Sequence, residues 1–139
     1  MNNLQLVREF HEKMGLAVDQ PFSFDLLKLR FDLIREEFEE VEEEIFDIKW
    51  YAPDEKEVWQ KRPEDVNRPQ LTKELADLLY VVYGTAVTFN LPLQEVFEEV
   101  HKSNMSKLGD DGRPIYREDG KVMKGPNYKP ANVEQFFNA

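Results

Sequence analysis

The sequence predicts an all-α fold: four helices in a bundle-like arrangement, then a mostly irregular C-terminal tail, in an oligomeric assembly. Three observations carry this expectation. Apolar residues recur at spacings of three and four in four separate segments, the mark of helix faces. Glycine, proline and asparagine punctuate the gaps between them. The third segment is apolar nearly all round, more than one small bundle buries, and this points to a partner subunit.

The first helix is expected from an Asn3 cap to Met14, with Gly15 as its stop; Leu6, Val7, Phe10 and Met14 share one side. Gln20-Pro21-Phe22-Ser23 connects it to the second, expected over residues 25–50. There Leu27, Phe31, Ile34, Phe38, Val41, Ile45 and Ile48 alternate steps of four and three, a seam for packing against other helices. Residues 51–68 carry Pro53 and Pro63, with Pro69 just beyond, and read as a long connection with one helical turn near residues 55–60. Trp50 and Trp59 give this connection a reason to pack, with a partner subunit as one place to do so.

The third helix is expected over residues 70–90, with Leu75, Leu78, Leu79, Val81, Val82, Ala86, Val87 and Phe89 around it. Gly84 in its interior costs stability relative to alanine, which marks a close helix approach. Asn90-Leu91-Pro92 breaks the chain, and Pro92 opens a fourth helix that ends near Asn104-Met105, with Leu93, Val96, Phe97 and Val100 on its buried side. Beyond it, turns at Asp110-Asp111-Gly112 and Glu118-Asp119-Gly120 allow a small hairpin of Ile115-Tyr116-Arg117 with Lys121-Val122-Met123. A last helical turn at residues 133–137 is expected under an Asn132 cap. The chain reads as a single domain over 1–139, with a helical core at 1–105 and a tail at 106–139.

Composition excludes several classes of function. With 139 residues the chain is long enough to bury a core without disulfides, and with no cysteine it has no thiol catalysis or zinc–thiolate site. A net charge of −10 opposes binding to nucleic acid polymers. No apolar run spans a membrane and the N-terminus lacks the pattern of a signal peptide, so the expected location is cytoplasmic. An acidic protein still holds a polyphosphate when a divalent metal inverts the local charge.

Residues 36–44 are seven glutamates with Phe38 and Val41 set among them. Most such runs are solvated faces. At ~100° per residue, Glu39 and Glu43 fall away from the seam, whereas Glu37, Glu40 and Glu44 line a strip beside it. In the third helix Asp77 is the sole charge between Leu75 and Phe89, with Glu74 one turn before it. A carboxylate in so apolar a helix needs a partner. Lys73 is expected to face elsewhere, leaving a metal as the natural counter-charge. Two carboxylate pairs supply four hard oxygen ligands, suited to Mg²⁺ or Mn²⁺. A di-iron bundle would use a Glu-x-x-His pair from each of two helices; only His101, after Glu98, has that spacing, since His11 follows Arg8, so the second pair is lacking. For the water-activating base, Glu36 is adjacent in sequence but points roughly opposite the seam by helical angle. Glu40 and Glu44 are further candidates, and the helical angles do not choose among them.

Glu37-x-x-Glu40 followed by Glu74-x-x-Asp77 resembles the paired acidic motifs of the MazG-like all-α nucleoside triphosphate pyrophosphohydrolases, whose relatives include dimeric dUTPases, dCTPases and phosphoribosyl-ATP pyrophosphohydrolase. Phe10-His-Glu-Lys-Met-Gly15, the segment from Glu74 to Gly84, Ser103-Asn-Met-Ser-Lys107 and Lys124-Gly-Pro-Asn-Tyr128 extend the likeness over most of the chain, towards a bacterial and phage subgroup. The resemblance implies Mg²⁺-dependent cleavage of a (deoxy)nucleoside triphosphate to a monophosphate and pyrophosphate, in nucleotide housecleaning or pool control. It implies that Glu37, Glu40, Glu74 and Asp77 are metal ligands. It also implies that Glu36 is a further acid at the water, which conflicts with the helical angles and requires a local distortion of the helix, and that Glu37 shares in the catalytic role. It places Asn104, Lys107, Lys124 and Tyr128 at the nucleotide, and it implies a homodimer or homotetramer. The bland readings are a helix-end cap for Asn104, surface lysines, and packing roles for His11 and His101. A non-catalytic helical oligomer that senses metal or nucleotide is the alternative from another class, and phosphoribosyl-ATP pyrophosphohydrolase the alternative within the enzyme class.

Overall fold

A computed structural model describes residues 1–137. The described residues form four helices, α1 (Asn3–Met14), α2 (Phe24–Ile45), α3 (Arg68–Phe89) and α4 (Leu93–Met105). Four short strands join them: β1 (Phe46–Ala52), β2 (Glu55–Gln60), β3 (Ile115–Tyr116) and β4 (Val122–Met123). The fold is helix-rich, as expected, but it is not purely α-helical. The chain divides into two compact units, residues 1–91 and the remainder from Pro92.

In the first unit each helix begins on a side chain that satisfies its free amides. Asn2, one residue before the expected cap, accepts from Gln5 N at 2.9 Å while Gln5 Oε1 accepts from Asn2 N at 2.8 Å. Ser23 accepts from Leu26 N, and Asn67 accepts from Gln70 N with Pro69 in the first turn of α3. Gly15 ends α1 at φ 70°, and Asn90 ends α3 at φ 52°. The loop after α1 closes over the end of α3, where Asp19 N donates to Val87 O at 3.1 Å and Gln20 N to Thr88 O at 2.7 Å. Carbonyls that a helix end leaves free are thereby satisfied.

The second helix stops five residues short of the expected end. Phe46 turns extended, and residues 46–52 pair antiparallel with 55–60 around Pro53-Asp54. The expected helical turn near 55–60 is instead the second strand of this hairpin. Phe46, Ile48 and Trp50 alternate with Asp47, Lys49 and Tyr51, a period of two rich in aromatic and β-branched residues. Ile48 sits at a helical step from Ile45 and at a strand step from Phe46, so the seam reading absorbed it.

Packed against both α1 and α2, α3 is buried at Gly84, Ala86, Val87, Thr88 and Phe89. In its first half Glu74 is buried but Leu75, Leu79 and Tyr80 are exposed, so the single chain does not cover this apolar helix along its length. The three helices meet at Gly84, where a Cβ would lie 3.0 Å from His11 Nε2 and 3.1 Å from Arg30 Cζ. Arg30 is buried and donates to Val81 O at 3.0 Å and Thr85 Oγ1 at 3.4 Å, and His11 Nδ1 bonds Ala17 O at 2.9 Å. His11 is therefore a packing residue. Burial lowers the Arg30 pKa, since no carboxylate compensates its desolvation.

In the second unit, the β3–β4 hairpin is the one expected around Glu118-Asp119-Gly120. The tail is strapped to α4: Ser103 Oγ donates to Lys129 O at 2.7 Å, Lys129 N to Ser106 Oγ at 3.0 Å, and Asn132 N to Glu99 Oε1 at 3.1 Å. The last turn, Glu134–Phe136, is a 3₁₀ turn with no side-chain cap, so Asn132 does not serve as one. Among the described residues no helix is long and apolar enough to cross a membrane.

Candidate metal centre

Glu37 and Glu40 lie one turn apart on α2, and Glu74 and Asp77 one turn apart on α3. Helical spacing places each pair on one side of its helix, and the packing of α2 on α3 turns the two sides together. One oxygen from each of the four carboxylates lies within 4.8 Å of the others.

Glu74 is 5% exposed, the most buried acid of the group. Gln70 Nε2 donates to its Oε1 at 2.6 Å, which leaves Oε2 buried with no partner. Glu37 Oε2 is buried and unpartnered too. The Glu40 carboxylate beside it, and then burial, raise the Glu74 carboxyl above the ordinary glutamate range. Two orphaned oxygens in a group of four hard donors are costly by themselves and fit a divalent cation.

Asp77 differs from its expected setting. Its side chain is 36% exposed, and Lys73 Nζ stands 2.8 Å from its Oδ2 and 3.8 Å from Glu74 Oε1. The i,i+4 spacing and the reach of a lysine overcome the angular offset that had seemed to point Lys73 elsewhere. Of the α3 pair, Glu74 is thus the acid that lacks a protein cation at hydrogen-bonding distance, and Asp77 the one that has one.

Glu36 is exposed and stands outside the convergent group. Residues 36–40 are continuous α-helix with no local distortion. Glu44 also lies outside the group.

The four residues expected at the nucleotide come together in the second unit. Asn104 lies inside α4, whose C-cap is Ser106, so Asn104 is not the cap. Lys107 N donates to Asn104 O at 3.2 Å, and Gly125 N donates to Lys107 O at 2.9 Å. A Cβ on Gly125 would run into the backbone of Lys107 and Leu108, so only glycine allows this approach. Lys124 then lies with Nζ 4.7 Å from the Tyr128 ring centroid, a cation–π contact. Sequence reasoning missed Gln70 and Lys73, whose role is visible from their i,i+4 relation to Glu74 and Asp77. It also missed the tail strap at Ser103 and Ser106.

The sequence profile of the phosphoribosyl-ATP pyrophosphohydrolase family matches residues 7–104. The chain belongs to that family. The family lies within the MazG-like nucleoside triphosphate pyrophosphohydrolase superfamily, as the acidic motifs had indicated. Membership implies a nucleotide pyrophosphohydrolase. The match contains all four convergent acids and stops at Asn104, so Lys107, Lys124 and Tyr128 lie beyond it. Among curated proteins none matches the chain.

Proposed function

We propose that the protein hydrolyses a (deoxy)nucleoside triphosphate between its α and β phosphates, releasing the monophosphate and pyrophosphate, with Mg²⁺ held by Glu37, Glu40, Glu74 and Asp77 and Mn²⁺ as a substitute. The observation that carries this reading is the pair of buried, unpartnered oxygens, Glu37 Oε2 and Glu74 Oε2, inside a group of four carboxylates. When bound, the metal supplies charge neutralisation at the phosphate oxygens and a polarised water. The chain supplies position. Gln70 holds Glu74 by one oxygen and frees the other, and the α2–α3 packing fixes the spacing of the two acid pairs. Glu36 and Glu37 are the acids assigned to the water; Glu37 lies in the convergent group, whereas Glu36 stands outside it and its part rests on the family resemblance. Asn104, Lys107, Lys124 and Tyr128 are assigned to the nucleotide, since basic groups are what a triphosphate needs beyond the metal. The assembly is a homodimer or homotetramer. The open apolar groove of Leu6, Leu79, Tyr80 and Tyr83 between α1 and α3 supports this, because such a face gains from cover.

The family match favours phosphoribosyl-ATP as a second substrate class. Pyrophosphate release should therefore be followed across deoxynucleoside triphosphates, ribonucleoside triphosphates and phosphoribosyl-ATP with Mg²⁺. Turnover of a deoxynucleotide, abolished in Asp77→Asn with the helical signal intact, supports the main reading. Turnover of phosphoribosyl-ATP alone selects the second. Nucleotide-induced stabilisation without turnover of any compound overturns both in favour of a sensor.

A further inference from the structure

Lys73 stands where a metal would draw the same atoms. Its Nζ is 2.8 Å from Asp77 Oδ2 and 3.8 Å from Glu74 Oε1, two of the four convergent acids. Gln70, one turn before Glu74, holds Glu74 Oε1 from the other side. The Lys73 side chain is otherwise solvent-facing, at 63% exposure, so its stem is free to swing. The carboxylates bring four negative charges to one place, and Lys73 is the one cation within ion-pairing distance of the group among the described residues.

We propose that Lys73 is the resident counter-cation of this carboxylate group, that a divalent ion must displace it from Asp77, and that the displaced ammonium then contacts the phosphates of the nucleotide. The inference rests on the metal-site reading above. The physical argument is competition. An ammonium and a divalent ion cannot share Asp77 Oδ2 at short range, because like charges a few ångströms apart repel. Release of Lys73 leaves a flexible cation one helical turn from Asp77, and a metal-bound triphosphate brings surplus negative charge to that rim. In this arrangement Lys73 disfavours free metal and favours the metal–nucleotide pair. It is a positioning residue.

Replacement by methionine keeps the length and helix propensity and removes the charge. Two affinities are to be measured, each in wild type and in Lys73→Met. The first is for Mn²⁺ without nucleotide, by electron paramagnetic resonance of the free ion. The second is for an uncleavable α,β-methylene triphosphate at saturating Mn²⁺, by calorimetry. The expected result is a pair of opposite changes: Mn²⁺ binds roughly tenfold tighter and the nucleotide analogue several-fold weaker. A role in folding alone would not move the two in opposite directions. In an Asp77→Asn background the gain in Mn²⁺ affinity should vanish. If wild type binds Mn²⁺ but Lys73→Met binds it no tighter, or holds the nucleotide equally well, the proposal for Lys73 is overturned and the metal site stands. If wild type binds no Mn²⁺, the metal-site reading fails and takes this proposal with it.

Discussion

Substituting Gly84 by alanine tests the helix junction on which the acid pairs depend. On propensity alone the change should stabilise α3 by about 1 kcal/mol. The structure opposes that gain. The new Cβ would sit inside contact distance of Arg30 Nη2, 3.1 Å from Arg30 Cζ and 3.0 Å from His11 Nε2. The guanidinium is not free to retreat, since it is buried and bonded to Val81 O at 3.0 Å and Thr85 Oγ1 at 3.4 Å. Overpacking costs about 1–3 kcal/mol, and loss of a hydrogen bond from a buried charge about 1.5–3 kcal/mol. Against the propensity gain, the net expectation is a loss of about 3 kcal/mol, a fall in Tm of roughly 10 °C for a chain of this size. Urea unfolding followed by circular dichroism at 222 nm measures it. Arg30→Met removes the obstructing fork, so the cost of Gly84→Ala should shrink in that background. A Gly84→Ala protein as stable as wild type, or an equal cost in both backgrounds, would refute the account of the junction.

Other expectations follow from the site and the tail. Glu36→Gln should keep Mn²⁺ affinity while pyrophosphate release falls ~10²-fold or more; unchanged turnover removes Glu36 from the water. For Glu74 the sign is set by its raised pKa: the folded metal-free protein binds this proton more tightly than the unfolded chain, so stability is lost as pH rises through the raised value. Gln at 74 mimics the protonated acid, so metal-free Glu74→Gln should melt higher than wild type at neutral pH. The difference should fade on acidification below the ordinary glutamate range, and a pH-independent difference contradicts the assigned cause. Ser103→Ala removes the 2.7 Å bond to Lys129 O, costing about 1 kcal/mol. Faster amide exchange across residues 125–132 and a higher KM are expected, and protection equal to wild type argues against the strap.

Some helix ends were legible because they are local. Gly15 and Asn90 read as ends because they act on backbone groups within a turn of themselves. Asn2 with Gln5, Ser23 and Asn67 act as locally, yet the first cap was expected at Asn3 and the other two were not expected as caps. The spacing of the acid pairs is local in the same way, and one helical turn puts Glu37 with Glu40 and Glu74 with Asp77 whatever surrounds them. The end of α2 was harder to place. Residues 45–50 satisfy a step of three and a step of two at once, and only the pairing of β1 with β2 across Pro53-Asp54 separates the two.

Sequence by itself determined which residues are candidates for the chemistry, the four carboxylates and the basic tail, and which glycine marks a close approach of helices. Tertiary structure decided what each of them experiences. Asp77 stood out in the sequence as the lone charge of an apolar helix, yet Glu74 is the buried acid and Asp77 the one with a lysine. The reason is that burial and ion pairing depend on the neighbouring element and on side-chain reach. A carboxylate block on α2 becomes a candidate metal centre only where α3 turns Glu74 Oε2 toward it and leaves that oxygen without a partner.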